Sequence, residues 1–385
     1  MKKYVAIILG VLLLVAMGAT AYAEIKIKIG GDARARGIFN ENYNFNDSVD
    51  ADQRYYDQRL RIKLTAGLDD KAEIRARFTL SEGTWGQDAT VGDVSLDDDD
   101  YAYLHVPVGK FNFDVGRQVA NWGNKFWLWN NSKDRIKITT KISKTLLGFG
   151  HSKAKEFVNP DNEGDVNVYC GFAVRKFASI KGGVRACYID NDTNDKTGQK
   201  FDVFLKGKAG GLGLEAEFAY EGDDLFEGPD GDPSTGGFMQ ISKALNPLTL
   251  SGMVAYANSG YKATEFFTPT VFFGTSQPTA IADFQAADDS SSYAVTLSGT
   301  YKVTNALSLT GAFAYASLEN LASELTNGAA VDTGNETITE IDAKLKYKIS
   351  KKITYYVDFG YLMPSDITPQ DDAAMALAHK IEIKF

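Results

Sequence analysis

The stretch IDAKLKYKISKKITYYVDFGY, residues 341–361, decides the fold because its side chains alternate strictly in character. Before the polar turn at 349–352, apolar residues hold the odd positions, whereas Asp342 and three lysines hold the even ones. After the turn, the odd positions from Ile353 to Tyr361 are again apolar or aromatic. A period of two places successive side chains on opposite faces of a β-strand. The stretch therefore predicts an antiparallel hairpin with one apolar and one wet face.

The same alternation recurs along the chain in segments of about 10 residues, the strand length that crosses a bilayer. Short and long connections alternate between these segments. The eight short connections fall at 68–71, 107–110, 139–144, 176–179, 209–213, 243–248, 302–307 and 349–352. The nine longer polar stretches fall at about 40–53, 81–98, 119–133, 152–163, 190–198, 221–235, 258–290, 317–337 and 362–375.

Counting these segments predicts the fold class. Eight hairpins and one strand at each end give 18 strands, with 16 as the alternative count. After residue 23, no apolar run approaches the roughly 20 residues of a membrane helix, and only helices and closed barrels satisfy their backbone groups in lipid. We therefore expect an all-β protein, a single transmembrane antiparallel β-barrel. Short periplasmic turns and long acidic extracellular loops are typical of outer-membrane barrels.

Both ends of the sequence predict export to the bacterial outer membrane. Lys2 and Lys3, an apolar run and Ala21-Tyr22-Ala23 form a signal-peptide pattern, so we expect residues 1–23 to be cleaved and 24–385 to form the barrel. The last strand ends at Phe385, and such an end resembles the signal read by the barrel assembly machinery. Expected partners are this machinery and outer-membrane lipid.

Charge and composition exclude several functions. A net charge of −9 makes the chain a poor nucleic-acid binder. Three scattered histidines and two cysteines predict no metal site and no cofactor, and we expect no enzymatic activity. Four adjacent acids at 97–100 lack the spacing of a calcium loop and are interpreted as a solvated loop edge.

Arginine placement is the most informative chemistry. Six arginines on three neighbouring strands oppose apolar residues and would face the lumen, where they raise the local concentration of anions. This predicted basic lane comprises Arg34, Arg36, Arg59, Arg61, Arg75 and Arg77. Depending on the turn near Asp69, Arg61 or Lys63 would lie across from Arg77. A charge network balanced by Asp32, Asp57 and Glu73, which share that face, explains the pattern equally well.

Two aromatic segments leave two interpretations open. The segment 121–129 contains Trp122, Phe126, Trp127 and Trp129, which form either a constriction or stacking surface in the lumen or an interfacial aromatic belt. The stretch 258–290 is long enough to fold inward as well. Sequence alone does not decide whether 119–133 or 258–290 enters the lumen.

The two cysteines lie in one predicted hairpin. By alternation, Cys170 shares a face with Val168 and Phe172, and Cys187 shares the other with Arg185. We therefore expect two free thiols.

The stretch FNFDVGRQ at 111–118, followed by Trp122-Gly123, resembles a motif of the alginate-export-like outer-membrane porins. The segments RLRI at 59–62 and DFGYL at 358–362 are similar to the same group. The resemblance implies an 18-stranded barrel whose basic lumen passes anionic sugars or small nutrients, with Arg117 in the lumen. An inward Arg117 requires a β-bulge near Gly116, because plain alternation places it beside Val115.

Together these features predict a porin, a passive diffusion channel for small hydrophilic solutes, anionic ones included, and they leave open whether the chain forms a homotrimer. The alternative is a barrel that serves as a conduit or sheath for an exported polysaccharide or for a partner cytochrome. The solute, pore size and ion selectivity are not readable from the sequence.

Overall fold

The computed structural model describes most of the chain beyond the leader. The described residues are 25–42, 52–68, 72–86, 100–129, 131–155, 165–192, 195–222, 233–258, 260–274, 277, 279–280, 283–286, 291–318, 336–365 and 372–385. The expected leader, its cleavage point and the tips of most long loops lie outside these residues.

The described residues form eighteen strands, as the sequence predicts. They are β1 Ile25–Glu41, β2 Gln53–Leu68, β3 Ala72–Thr84, β4 Tyr101–Val108, β5 Phe111–Ala120, β6 Asn131–Ile142, β7 Thr145–Lys155, β8 Val166–Phe177, β9 Ile180–Asn191, β10 Lys196–Ala209, β11 Leu212–Gly222, β12 Ser234–Leu245, β13 Leu248–Asn258, β14 Ser291–Lys302, β15 Leu307–Leu318, β16 Glu336–Lys348, β17 Ile353–Ser365 and β18 Ala374–Lys384. Each strand pairs antiparallel with its neighbours in sequence, and β1 also pairs with β18, which closes the barrel.

The connections alternate as expected. All eight hairpins with short turns are present, and the polar stretches join their far ends. Closure satisfies the backbone of every strand and leaves no sheet edge in the lipid. No helix long and apolar enough to cross a membrane occurs among the described residues.

The two faces of the wall differ as the alternation predicts. On β1, β14 and β16, apolar side chains such as Ile29 (70% exposed) and Leu297 (60%) form part of the outer face. Their sequence neighbours point inward, and Asp342 on β16 is buried inside the barrel. An apolar outer band around a polar interior is the arrangement of outer-membrane barrels.

The cysteine expectation is wrong. Cys170 lies directly opposite Cys187 in the β8–β9 hairpin, and the two form a disulfide with Cα atoms 4.1 Å apart. The two-residue turn at 178–179 sets this register. The sequence analysis placed Cys170, Val168 and Phe172 on the face opposite Arg185, but Phe172 points inward and packs on Trp122 at 5.8 Å between ring centroids. Cys170 therefore shares the lumen face with Cys187.

The chain end is part of the closing seam. Phe385 and Gly31 exchange two backbone hydrogen bonds, of 2.9 and 3.1 Å. A Cβ at residue 31 would collide with the Phe385 ring, so glycine allows the terminal aromatic ring to lie over β1. The ring itself is half exposed on the outer face.

Candidate functional site

The six arginines of the predicted lane are together on the lumen face of β1 to β3. Arg34 lies opposite Arg59, Asp32 opposite Arg61, and Lys63, rather than Arg61, opposite Arg77. Like charges placed directly across a ladder repel each other. Their juxtaposition therefore requires nearby acids.

Those acids are present, so the lane is a balanced network. Every one of its six arginines has a carboxylate within 4.0 Å. The pairs are Arg34–Glu82 (2.9 Å), Arg36–Asp57 (2.5 Å), Arg59–Glu82 (3.7 Å), Arg61–Asp32 (2.8 Å), Arg75–Glu73 (2.6 Å) and Arg77–Asp100 (3.4 Å). The sequence allowed two interpretations, a basic lane and a charge network, and both describe this part of the barrel wall.

The acidic run at 97–100 is only partly described. Asp97 to Asp99 lie outside the described residues. Asp100 is fully buried, accepts a 2.7 Å hydrogen bond from the Thr79 backbone N–H and pairs with Arg77. Asp100 therefore belongs to the charge network of the lumen and not to a solvated loop edge.

Arg117 is not in the lumen. It lies opposite Ala102 on β4 and Asp134 on β6, whereas its neighbour Gly116 lies opposite the lumen-facing Arg135. Gly116 has a φ of 120°, but both ladders continue past it without the inserted residue that an inward Arg117 needs. Arg117 is therefore on the outer face, 4.0 Å from Asp134.

The segment 121–129 folds into the lumen and crosses to the wall at β10 and β11. One carboxylate, Glu217, accepts backbone hydrogen bonds from Asn124, from Phe126 (3.5 Å) and from Trp127 (3.0 Å). Gly123 adopts a positive φ of 61° against this carboxylate, where a Cβ would collide with it. We call residues 121–129 the inward loop.

The aromatic residues of the inward loop divide into buried and lining groups. Phe126 is fully buried, and Trp122 and Trp127 are nearly so. The indole N–H of Trp122 donates to Asp202, and that of Trp127 donates to Glu221 at 3.1 Å. Trp129 lies under the ammonium of Lys125, 5.3 Å from the ring centroid. These contacts support the lumen interpretation over the interfacial belt.

The described part of 258–290 also lies inside the barrel. The backbone N–H groups of Val271 and Phe272 donate to Glu340 on β16, at 2.8 and 3.1 Å. Tyr261 stacks on Phe126 with ring centroids 5.4 Å apart, so the two inward segments pack on each other. Burial lowers the pKa of Lys125 at this junction, and Lys206 adds to the shift.

A second basic surface lies on the lumen face of β6 to β9, and the sequence reading did not single it out. It borders a cavity of about 680 Å³ beneath Trp122 and Gly123. The cations that line this cavity are Arg135, Lys137, Lys181 and Arg185 of that face, and Lys206 of β10. The signal was present in β6, where Lys133, Arg135 and Lys137 alternate with Asp134 and two isoleucines.

No group of three metal-ligating side chains occurs within the described ranges. His105 contacts Asp114 at 2.6 Å, His151 stacks on Tyr169, and the His379 ring centroid lies 6.0 Å from that of Tyr56, so each histidine has a local partner.

A closed barrel with an apolar outside, a charged interior and inward loops defines a channel protein of the outer membrane. The family model of the Gram-negative porins matches residues 10–366, and the chain belongs to this family. It is therefore a porin. A search of curated proteins found no match.

Several solved porins share the fold. A BenF-like porin from Pseudomonas fluorescens Pf-5 is 10% identical, with a TM-score of 0.63 over 94% of this chain and 98% of that one. Pseudomonas aeruginosa OpdL is 11% identical, with a TM-score of 0.62 over 94% and 98%. Pseudomonas aeruginosa OpdK, crystallised with vanillate, is 11% identical, with a TM-score of 0.60 over 93% and 98%.

Proposed function

We propose that this porin is a passive channel with a preference for small anionic solutes. The observation that supports this proposal most directly is the charge of the lumen face of β6 to β9. That face presents several cations and no carboxylate among its described residues. On β1 to β3, the paired arginines add a polar track for hydrated solutes. A cationic, narrowed interior raises the local concentration of anions even though the whole chain is acidic.

The similar structures are consistent with this proposal. OpdK was crystallised with vanillate, a small organic solute. The motif resemblance to alginate-export-like porins favours an anionic cargo as well, although Arg117 itself faces outward. Recognition of Phe385 by the assembly machinery, cleavage of the leader and a trimeric state remain parts of the proposal.

The conduit alternative is disfavoured by the interior. Two inward segments pack on each other through Phe126 and Tyr261 and fill part of the lumen. A sheath for a polysaccharide chain or a partner cytochrome needs an open bore. A channel for single small solutes needs only the space that remains.

Ion selectivity tests the proposal. In a KCl gradient across a planar bilayer, we expect the wild-type reversal potential to show preference for chloride. Changing Arg59, Arg61, Arg75 and Arg77 to Ala leaves their acid partners uncompensated, so the preference should move toward potassium. Potassium preference in the wild type that persists unchanged in the fourfold variant would refute an anion-selective channel.

A further inference from the structure

Two arginines beside the inward loop lack the acid partners that the lane arginines have. Among the described residues, neither Arg135 nor Arg185 forms an ion pair. The Nε atoms of both are buried with no hydrogen-bond partner. Buried unsatisfied donors are costly, and guanidinium groups are adapted to bind carboxylate or phosphate oxygens. This pair is therefore short of negative charge.

Their surroundings increase that deficit. Arg185 lies close enough to Arg135 for the two charges to repel. Asp202 lies across the β9–β10 ladder from Arg185, but the two form no ion pair and Asp202 accepts the indole hydrogen bond of Trp122. Lys181 also lines the cavity and has its ammonium 5.7 Å from the Phe204 ring centroid rather than near a described carboxylate.

The other cations of the cavity are already paired. Lys137 contacts Asp114 at 2.9 Å, and Lys206 contacts Glu215 at 2.8 Å. Arg135, Arg185 and Lys181, which form no ion pair within the described residues, thus face one carboxylate, Asp202, and the net positive charge that remains exceeds what one monovalent anion would neutralise.

One side of the cavity is flat and apolar. Trp122, Phe172 and Phe204 pack edge to face at the cavity, and Arg185 lies 5.9 Å from the Trp122 ring centroid. Gly150 leaves open space in the cavity next to β7, because a Cβ added at this residue would meet only a backbone oxygen at 3.9 Å. A cavity of about 680 Å³ is within the usual range for a small-molecule site.

We propose that this cavity is a binding site for a planar organic dianion, an aromatic ring that carries two acidic groups. The ring would stack among Trp122, Phe172 and Phe204, and the acidic groups would pair with Arg135 and Arg185. The proposal deepens the anion preference proposed above and rests on it for the route by which the ligand enters.

The test measures how long a probe interrupts the single-channel current of the reconstituted full-length protein. The probes separate charge from ring: phthalate has both features, benzoate has the ring with one charge, succinate has two charges without a ring, and inorganic phosphate is a plain oxyanion. We expect phthalate to reside roughly tenfold longer than each of the others, because it alone forms both charge-assisted contacts and the stack.

Three variants assign the effect to this cavity. Arg135→Gln and Arg185→Gln should each remove the advantage of phthalate over benzoate. Gly150→Leu should shorten the phthalate events without changing the charge, because the side chain fills the cavity. Arg175→Gln is the matched control, since Arg175 lies on the outer face of β8 beside Phe177 and should leave the events unchanged.

Two kinds of result would overturn the proposal. Equal residence of benzoate, succinate or phosphate would show that a second charge or the ring is unnecessary, and insensitivity to all three cavity variants would place the block elsewhere. Folding of each variant is verified by its own open-channel current. A cation-selective channel in which phthalate still binds to Arg135 and Arg185 would contradict the proposed function but not this site.

Discussion

Replacing Glu217 by Ala should release the inward loop and give a larger, noisier single-channel conductance. The substitution removes the acceptor for the backbone N–H groups of Asn124, Phe126 and Trp127. A buried donor left without a partner costs about 1–3 kcal/mol. Three such donors are sufficient to shift the balance between docked and released loop by tenfold or more, since about 1.4 kcal/mol corresponds to a factor of ten.

Two further variants make the measurement specific to the loop. Glu217→Gln keeps one acceptor oxygen, so its conductance should lie between those of wild type and Glu217→Ala. Glu215→Ala is the matched control, because Glu215 lies on the same strand as Glu217, pairs with Lys206 on β10 and receives no hydrogen bond from the described loop residues. If Glu217→Ala and Glu215→Ala gave the same current trace as wild type, Glu217 would not hold the loop.

The second large effect concerns the lipid face. Leu297→Arg should destabilise the folded barrel in lipid vesicles by roughly 2–4 kcal/mol, the cost of a cation near the bilayer midplane. Leu297 is in the middle of β14, opposite Gly252 on β13 and Phe313 on β15, and its side chain is 60% exposed on the outer face.

The adjacent residue provides the control. Ser298 points inward between Ser251 and Ala312, so Ser298→Arg should change stability by no more than a few tenths of a kcal/mol, as for other solvated positions. The measurement is the urea dependence of unfolding in vesicles for both variants. Equal losses at the two positions would contradict the assignment of the faces.

The strand count and the face of the lane arginines were predictable from sequence. Both depend only on a local period of two and on alternating turn lengths, which a single chain displays directly. The arginines of the lane lie on the face that the sequence predicts. The apolar residues that alternate with them, such as Leu60 and Ile62, identify the opposite face as the one in contact with lipid. Local patterning was sufficient there.

The same rule failed where the inward loop covers the wall. Phe172 is apolar yet faces the lumen, because Trp122 packs on it from inside the barrel. Its character therefore gave the wrong face, and the Cys170–Cys187 disulfide was missed for that reason. Alternation identifies a lipid face only where the interior is wet.

Loop placement was not predictable because its contacts are distant in sequence. Asn124 and Glu217 are separated by 93 residues, and no local pattern connects them. A Trp-rich segment at a strand end fits an interfacial belt as well as a constriction. Arg117 was assigned to the lumen from a motif resemblance, and the uninterrupted register of β5 with β4 and β6 shows why plain alternation was the better guide.

A channel of this kind has water on one side of the β14 wall and lipid on the other. Single cysteines at 298 and 297, introduced into protein whose native cysteines are held in their disulfide, test this directly when liposomes are treated with a charged thiol reagent that does not cross membranes. Ser298→Cys should react from the aqueous pore, and Leu297→Cys should be protected by lipid. Rapid labelling of Leu297→Cys together with protection of Ser298→Cys would contradict the account.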